Sequence, residues 1–283
     1  MSNILQAITT IINNPISDLG DYYRSQNRIN QVGEALEYFV KDIFAGTVTE
    51  TDQNIKLSKY KQVFSYSGNA NNPPDLILKN GDAIEVKKIE SLRSSLAFNS
   101  SYPKSKLFAD SPLITNKCRN CEDWQEKDII YAIGVAPARK IKLLWLIYGD
   151  CYAADREIYE RIKETIANGI SGISGVEFSE TRELGRVNKV DPLKISHLRI
   201  RGMWGIQNPL LFFNYIDLGC QQQSNFKVIA IMSKNKYLSF PQRDRQNLEI
   251  ISDNNFMIND VKIKSPNNPM QLIPAIVISY YII

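Results

Sequence analysis

Asp75, Glu85 and Lys87 are the residues whose types and spacing could do chemistry. They stand in PPDLILKNGDAIEVKKIE, residues 73–90. Asn80-Gly81 between two runs rich in Leu, Ile and Val predicts a tight turn, so Asp75 and Glu85 fall on adjacent antiparallel strands. Side chains alternate along a strand, which puts Glu85 and Lys87 on one face and Ile84, Val86 and Lys88 on the other. Two carboxylates and an ammonium converging on one spot are the minimal equipment for hydrolysing a phosphodiester around a hard cation, which stabilises charge on the phosphoryl and leaving oxygens. Magnesium suits such a site, because it takes oxygen ligands and is commonly held by one or two carboxylates plus substrate phosphate. Asp75 and Glu85 are the candidate ligands, with the backbone carbonyl of Val86 as another. Lys87 is placed to orient the attacking water and offset developing negative charge. An ordinary solvated sheet edge carries the same residue types, and so short a pattern also arises by chance.

The elements around the motif narrow that choice. QNRINQVGEALEYFVKDIFAG, residues 26–46, reads as an amphipathic helix with Ile29, Val32, Leu36, Phe39, Val40 and Ile43 on one stripe. Glu37 falls at the border of that stripe, whereas Glu34 projects from nearly the opposite side. From that border Glu37 could reach a metal directly or through water, or it could be a solvated helix residue. DIIYAIGVA and KIKLLWLIYGDCYAA read as central strands, since nearly continuous apolar runs imply burial on both faces. DREIYERIKETIANGI follows as a helix, with Asp155 as its cap and Gly169 as its stop. LLFFNYI and FKVIAIM read as further strands, and LIPAIVISYYII as a last strand or a subunit contact.

GEALE on the early helix, PD followed by ExK, NSSYPKSKLFADSPLIT and the later LRIRGMWGIQNP together resemble the type II restriction endonucleases of the PD-(D/E)xK superfamily, and within it the NgoPII-like group. The resemblance spans roughly residues 20–215, and its two longer strings are more specific than the short signature. It implies a mixed α/β fold with a restriction-endonuclease-like core, a central mixed β-sheet flanked by helices. It also implies Mg²⁺ dependence and cleavage of double-stranded DNA at a short palindrome such as GGCC, leaving 5′-phosphates. Asp75, Glu85 and Lys87 match the family's catalytic positions and Glu37 its helix glutamate. A homodimer is the simplest way to place two sites on a twofold target, with sequential nicking by a monomer as the alternative. A cognate methyltransferase is expected in the same system.

Candidate DNA contacts lie outside the signature. Asn99, Ser100, Ser101, Lys104 and Lys106 form a polar, basic stretch soon after the catalytic strand, of the types that bond phosphates and bases. Arg24, Asn27 and Arg28 could approach the DNA backbone from the start of the early helix. From Arg182 to Arg201 there are six basic residues against two acids, a local excess equal to the whole chain's +4. The alternation in His197–Arg201 predicts a strand presenting Arg199 and Arg201 to one side, each able to read guanine or neutralise phosphate. Trp204 is a core residue or stacking wall, and Asn208, before Pro209, a turn former or contact.

Composition agrees with this reading. The chain has 283 residues, 43% of them apolar, without a run long enough to span a bilayer. No linker, repeat or low-complexity tract divides it, so a single domain over 1–283 with recognition insertions near 93–125 and 180–210 is expected. The start, MSNILQAITTIINNP, lacks the features of a secretory signal, and a cytoplasmic location follows as an expectation. Cys118 and Cys121 form one C-x-x-C, whereas a structural zinc normally needs two such ligand pairs; reduced thiols are expected. Asn72-Pro73-Pro74-Asp75 approaches the NPPY-type motif of DNA amino-methyltransferases, but Asp75 replaces the stacking aromatic and no Gly-rich cofactor turn precedes it. A repair nuclease on the same fold and a non-catalytic DNA-binding module are the remaining rivals.

Overall fold

The computed structural model describes residues 1–16, 18–19, 22, 32–69, 72–99, 101–137, 140–179, 184–219 and 224–282, with the backbone alone for Val32, Asn69 and Asn99. Its centre is a nine-stranded mixed sheet. Along the sheet, β1 (Phe64–Asn69), β2 (Asn72–Leu78), β3 (Ala83–Ile89), β6 (Glu126–Val135), β7 (Leu143–Tyr148), β12 (Phe226–Ser233), β14 (Leu272–Ile282) and β13 (Phe256–Lys264) lie side by side, and β5 (Lys106–Phe108) pairs with the start of β6. β3 runs parallel to β6 and β7 parallel to β12, while the other neighbours are antiparallel. All six residues of β7 are buried, as the apolar run required of a strand covered on both faces.

Helix α1 (Ile4–Asn13) packs on α2 (Val32–Ala45), and α2 packs on α3 (Gln53–Val63) and on β3. The stripe of α2 is buried through Ala35, Leu36, Phe39, Val40 and Ile43. Leu36 presses so close to β6 that a Cβ on Gly134 would stand 2.6 Å from it. Gly134 therefore faces α2, and by alternation Tyr131 and Ile133 face the other side of the sheet. In the β3–β6 register Glu85 neighbours Tyr131 and Lys87 neighbours Ile133. The chemistry-bearing residues thus occupy the face opposite α2.

A further strand pair reaches that face, its Phe98 ring 5.8 Å from that of Tyr131. β4 (Leu96–Asn99) pairs with β11 (Met203–Ile206), and β8 (Glu177–Phe178), β9 (Gly185–Asn188) and β10 (His197–Ile200) form a small separate sheet. α4 (Asn116–Arg119) precedes β6, and α5 (Arg156–Ser171) precedes the small sheet. Asp155 stands where a cap is expected, but its carboxylate instead accepts from Ser105 Oγ (3.2 Å) and Asn267 Nδ2 (2.9 Å). The helix passes Gly169 and stops at Gly172. LLFFNYI is not a strand: Pro209–Phe212 form a short helix, α6, because Asn208 caps it through Leu210 N–H (3.0 Å) and Pro209 opens its first turn. Helices α7 (Lys234–Ser239) and α8 (Gln242–Glu249) lead into β13. Among the described residues no helix is long and apolar enough to cross a membrane.

The anchor of α2 is a buried polar cluster. Asp42, fully buried, accepts from Lys56 Nζ at 2.8 Å and from the hydroxyls of Tyr60 and Thr47, which ties α2 to α3. Removing one partner of such a pair leaves a stranded charge, at a cost of about 3–5 kcal/mol. Lys56→Met is expected to lower the unfolding free energy by about that amount in urea denaturation; a change within about 0.5 kcal/mol would show that the cluster does not hold these helices.

Candidate active site

The hairpin forms as its sequence predicts, with a local twist. β2 and β3 share only the pairs Leu76–Ile84 and Ile77–Ala83. The positive backbone angle of the turn falls on Asn80 (φ 55°), and Gly81 N–H closes the turn on Leu78 O at 2.9 Å. Glu122 accepts from Asn80 N–H (2.6 Å), and Lys127 bonds both Glu122 and Gly81 O (2.7 and 2.9 Å), so the turn is pinned from outside the hairpin.

Beyond Leu76–Ile84 the backbone ladder ends and side chains take over. Continuing that register places Asp75 opposite Glu85. The Asp75 carboxylate accepts the Val86 N–H at 2.6 Å, in place of a ladder bond. Glu85 is 7% exposed; its Oε1 is 2.6 Å from Lys87 Nζ, while among the described residues its buried Oε2 has no hydrogen-bond partner. Burial pushes Asp75 up to about 7, and the Glu85 carboxylate adds to the rise; the Val86 N–H and Lys87 pull the other way. A buried Glu85 with one oxygen lacking a donor, beside a half-buried Asp75, fits a hard cation with incomplete protein ligation.

The remaining candidates divide. Glu37 is exposed on α2, and its charge makes the smallest contribution to the rise at Asp75. Among the described residues no three His, Cys, Asp or Glu side chains come together to hold a metal, so the structure does not gather Glu37 with the pair. Cys118 and Cys121 are likewise without such a group; both are free, and burial pushes the Cys118 thiol up to about 12. Ser101 and Lys104 are buried rather than displayed on a surface loop, and Lys106 bonds Glu126 at 2.5 Å. Asn99 lies on β4 opposite Met203. Arg24, Asn27, Arg28 and Ser100 lie outside the described residues. Arg199 is exposed on β10 directly across from Arg186, and that strand ends at Ile200, leaving Arg201 exposed just beyond it. Asn208 is 1% exposed; its amide also donates to Ser94 O at 2.9 Å, so it caps α6 and ties it to the segment before β4.

Trp204 was offered by the sequence as a core residue or stacking wall, whereas its neighbours Phe98 and Tyr159, and Tyr131 behind them, escaped the sequence reading. Trp204 on β11 stands opposite Phe98 on β4, and the Phe98 ring lies 5.4 Å from Lys87 Nζ. Trp204 also meets Tyr102 and Tyr159 edge-on at 6.2 and 5.7 Å, and those two rings stack at 5.2 Å. Tyr131 accepts from Lys104 N–H at 2.6 Å and donates to Lys104 O at 3.0 Å. Its hydroxyl within the apolar run DIIYAIGVA was the signal available, since a buried phenol needs a polar partner.

Comparison with known proteins identifies the family of the chain. The type II restriction enzyme NgoPII of Neisseria gonorrhoeae is 48% identical over 281 residues, covering 99% of this chain and 100% of that protein. No solved structure matches the chain. The NgoPII restriction endonuclease family model matches residues 2–264, so the chain belongs to the NgoPII restriction endonuclease family.

Proposed function

We propose that this chain is a magnesium-dependent type II restriction endonuclease that hydrolyses both strands of double-stranded DNA at a short palindrome, with GGCC as the candidate site, leaving 5′-phosphates. The observation that carries the mechanism is the desolvated Asp75–Glu85 pair with Lys87 Nζ 2.6 Å from Glu85. Asp75, Glu85 and the Val86 carbonyl would hold the ion, with Glu37 at most an outer partner. When bound, Mg²⁺ supplies stabilisation of the charge that builds on the phosphoryl oxygens. Lys87 orients the attacking water; the P–O3′ bond breaks, and the departing 3′ oxygen takes up a proton. The 5′-phosphate end follows from that bond choice.

Recognition falls to the insertions at about 93–125 and 180–210 of a single domain. Arg199 stands across the β9–β10 ladder from Arg186, so the small sheet gathers basic residues of the kind that bind a polyanion. A homodimer matches a twofold target, and Ile158, Ile162 and Ile166, exposed at one-turn spacing along α5, offer an apolar stripe that a second copy could cover. The enzyme would act in the cytoplasm beside a methyltransferase that protects the same sequence.

Plasmid and Mg²⁺ are expected to give discrete fragments whose sequenced ends define one palindrome and carry 5′-phosphates. Lys87→Ala should slow cutting by roughly 10²–10³-fold and Asp75→Asn at least as much, with gel-shift binding in Ca²⁺ retained; undiminished cutting by either variant removes that residue from the mechanism. Arg199→Ala should relax discrimination against sites with one altered base pair. A uniform loss across all sequences, with a shallower salt dependence, would make it a phosphate contact.

Asp75 also couples stability to pH. Its folded pKa of about 7 lies above the ordinary carboxylate value, so the folded protein holds the proton more tightly; that stabilisation is complete below the ordinary value and is lost progressively as pH rises from there through about 7. Metal-free Asp75→Asn should therefore gain on the parent protein in melting temperature by clearly more at pH 8 than at pH 5. Equal differences at the two pH values would mean that Asp75 is not held against its charge.

A further inference from the structure

Arg156 is a fixed cation beside the active-site wall that the proposed mechanism does not use. It opens α5, three residues before Tyr159, so the two side chains fall on the same side of the helix. Tyr159 stacks on Tyr102 and meets Trp204 edge-on, and Trp204 stands opposite Phe98, whose ring lies beside the Lys87 ammonium. Packed rings therefore lead from the catalytic lysine to the helical turn that carries Arg156.

The guanidinium is held from two directions. Its Cζ lies 4.5 Å from the centre of the Phe108 ring, and its Nη1 donates to both oxygens of Asp110, at 3.0 and 2.9 Å. The loop of Asp110 is itself fixed: Ser111 N–H closes it on Phe108 O at 3.2 Å, and Arg119 clamps it by donating to Ala109 O at 2.7 Å and to Ser111 O at 3.0 Å. The pair stands open to solvent, with the side chain of Arg156 33% and that of Asp110 67% exposed. An ion pair so exposed adds little to stability, so the support from Phe108 and Arg119 serves the orientation of the guanidinium. Its outer edge stays available. Among the described residues Nη2 has no acceptor, and Nε has only Glu157 Oε1 at 3.7 Å, beyond hydrogen-bond length. Nε and Nη2 together form a fork of two parallel donors.

Such a fork takes either a phosphate or a guanine edge, and its surroundings decide between them. Arg156 lines a cleft of about 150 Å³ with Tyr102, Lys106, Asp110 and Glu160. A phosphate there would meet the carboxylates of Asp110 and of Glu160, which accepts from the Tyr102 hydroxyl at 2.9 Å. The ammonium groups at the cleft are already engaged, Lys106 by Glu126 at 2.5 Å and Lys104 by Ser101 Oγ and Tyr102 O. A G·C pair, by contrast, presents two acceptors in the major groove, N7 and O6 of guanine, and beside them one donor, the N4 amine of cytosine. Two donors on Arg156 next to an acceptor on Asp110 complement that pattern. We propose that Arg156 is a specificity-determining residue whose Nε–Nη2 fork reads N7 and O6 of one guanine in the target, with Asp110 and Phe108 holding the guanidinium in place. The proposal rests on the reading of the chain as an endonuclease whose site contains a G·C pair.

Equilibrium binding of the full chain to duplex DNA in Ca²⁺, read by fluorescence anisotropy, tests this without turnover. The probes are a duplex bearing the sequence that the parent cleaves and a set in which one guanine at a time is 7-deazaguanine, which lacks the N7 acceptor and keeps its base pairing. The parent is expected to lose affinity about fivefold or more at one guanine position. Arg156→Ala should bind the unmodified duplex about tenfold or more weakly, with no further loss at that position and the parent's response at the others. Arg156→Lys, which keeps the charge and loses the fork, should behave as Arg156→Ala does. A parent indifferent to 7-deazaguanine at every position, unchanged binding by Arg156→Ala, or losses that simply add when variant and modified guanine are combined, each overturns the proposal. So does an equal weakening on every duplex with a shallower salt dependence, which would make Arg156 a phosphate contact. If Arg156→Ala does not fold, Arg156→Lys decides by the same criteria. A parent chain that neither binds nor cuts any duplex overturns the endonuclease reading itself, whereas a site-specific parent with indifferent Arg156 variants overturns this proposal alone.

Discussion

The repulsion between Asp75 and Glu85 is the constraint around which the site is built. Burial raises the affinity of Asp75 for a proton and the neighbouring Glu85 charge adds to it, which lifts Asp75 to about 7. The fold meets that cost locally. Val86 gives its N–H to Asp75 where the β2–β3 ladder would otherwise continue, and Lys87 gives its ammonium to one oxygen of Glu85. The other oxygen of Glu85 is left without a donor among the described residues. A full set of hydrogen bonds would have made a more stable pocket and a poorer cation site, because each donor spent on a carboxylate is a ligand position lost.

The same economy explains how recognition can be tied to chemistry. The strand pair β4–β11 joins the segment just after the catalytic strand to the end of the basic insertion. Trp204 and Phe98 face each other across that pair, and the Phe98 ring stands beside the Lys87 ammonium. On the same wall Trp204 meets Tyr102, which stacks on Tyr159 of α5. A displacement of this strand pair would therefore press on the ring beside the Lys87 ammonium, through packed rings that cannot give way without a void. Asn208 secures the far end of this ribbon, bonding Ser94 before β4 while capping α6.

What the sequence made legible follows from the range of the forces involved. The hairpin, the central strands and the α2 stripe were readable because turn chemistry and hydrophobic period are local, and β6, β7 and β12 stand where apolar runs put them. LLFFNYI misled because its apolar run suits a strand, whereas the two residues before Leu210 carry a cap and a helix opener that decided the local geometry. Lys104 and Ser101 looked like surface contacts, since polar and basic stretches usually are. Their burial depends on Tyr131 and Gly149, each more than 25 residues away, and no local pattern encodes that meeting. Glu37 shows the reverse error: the helix wheel put it at the border of the stripe correctly, but could not say which face of the sheet the helix covers.

That last point bears on how the site can be held open at all. With α2 on one face and Glu85 and Lys87 on the other, the helix layer supplies apolar packing without intruding on the carboxylates. The penalty of the polar pocket is then carried by a sheet whose inner strands are apolar on both sides, and by a buried Asp42–Lys56 pair that locks the helix layer in place. Separating the two tasks by sheet face lets the pocket stay strained in charge while β3 and β6 beneath it keep an unbroken parallel ladder. Had Glu37 projected through to the pair, three carboxylates would have shared that space, and with Lys87 the cation paired to Glu85 the group would have kept an unbalanced negative charge. The observed arrangement avoids that imbalance by leaving the third acid in solvent, where its charge is screened.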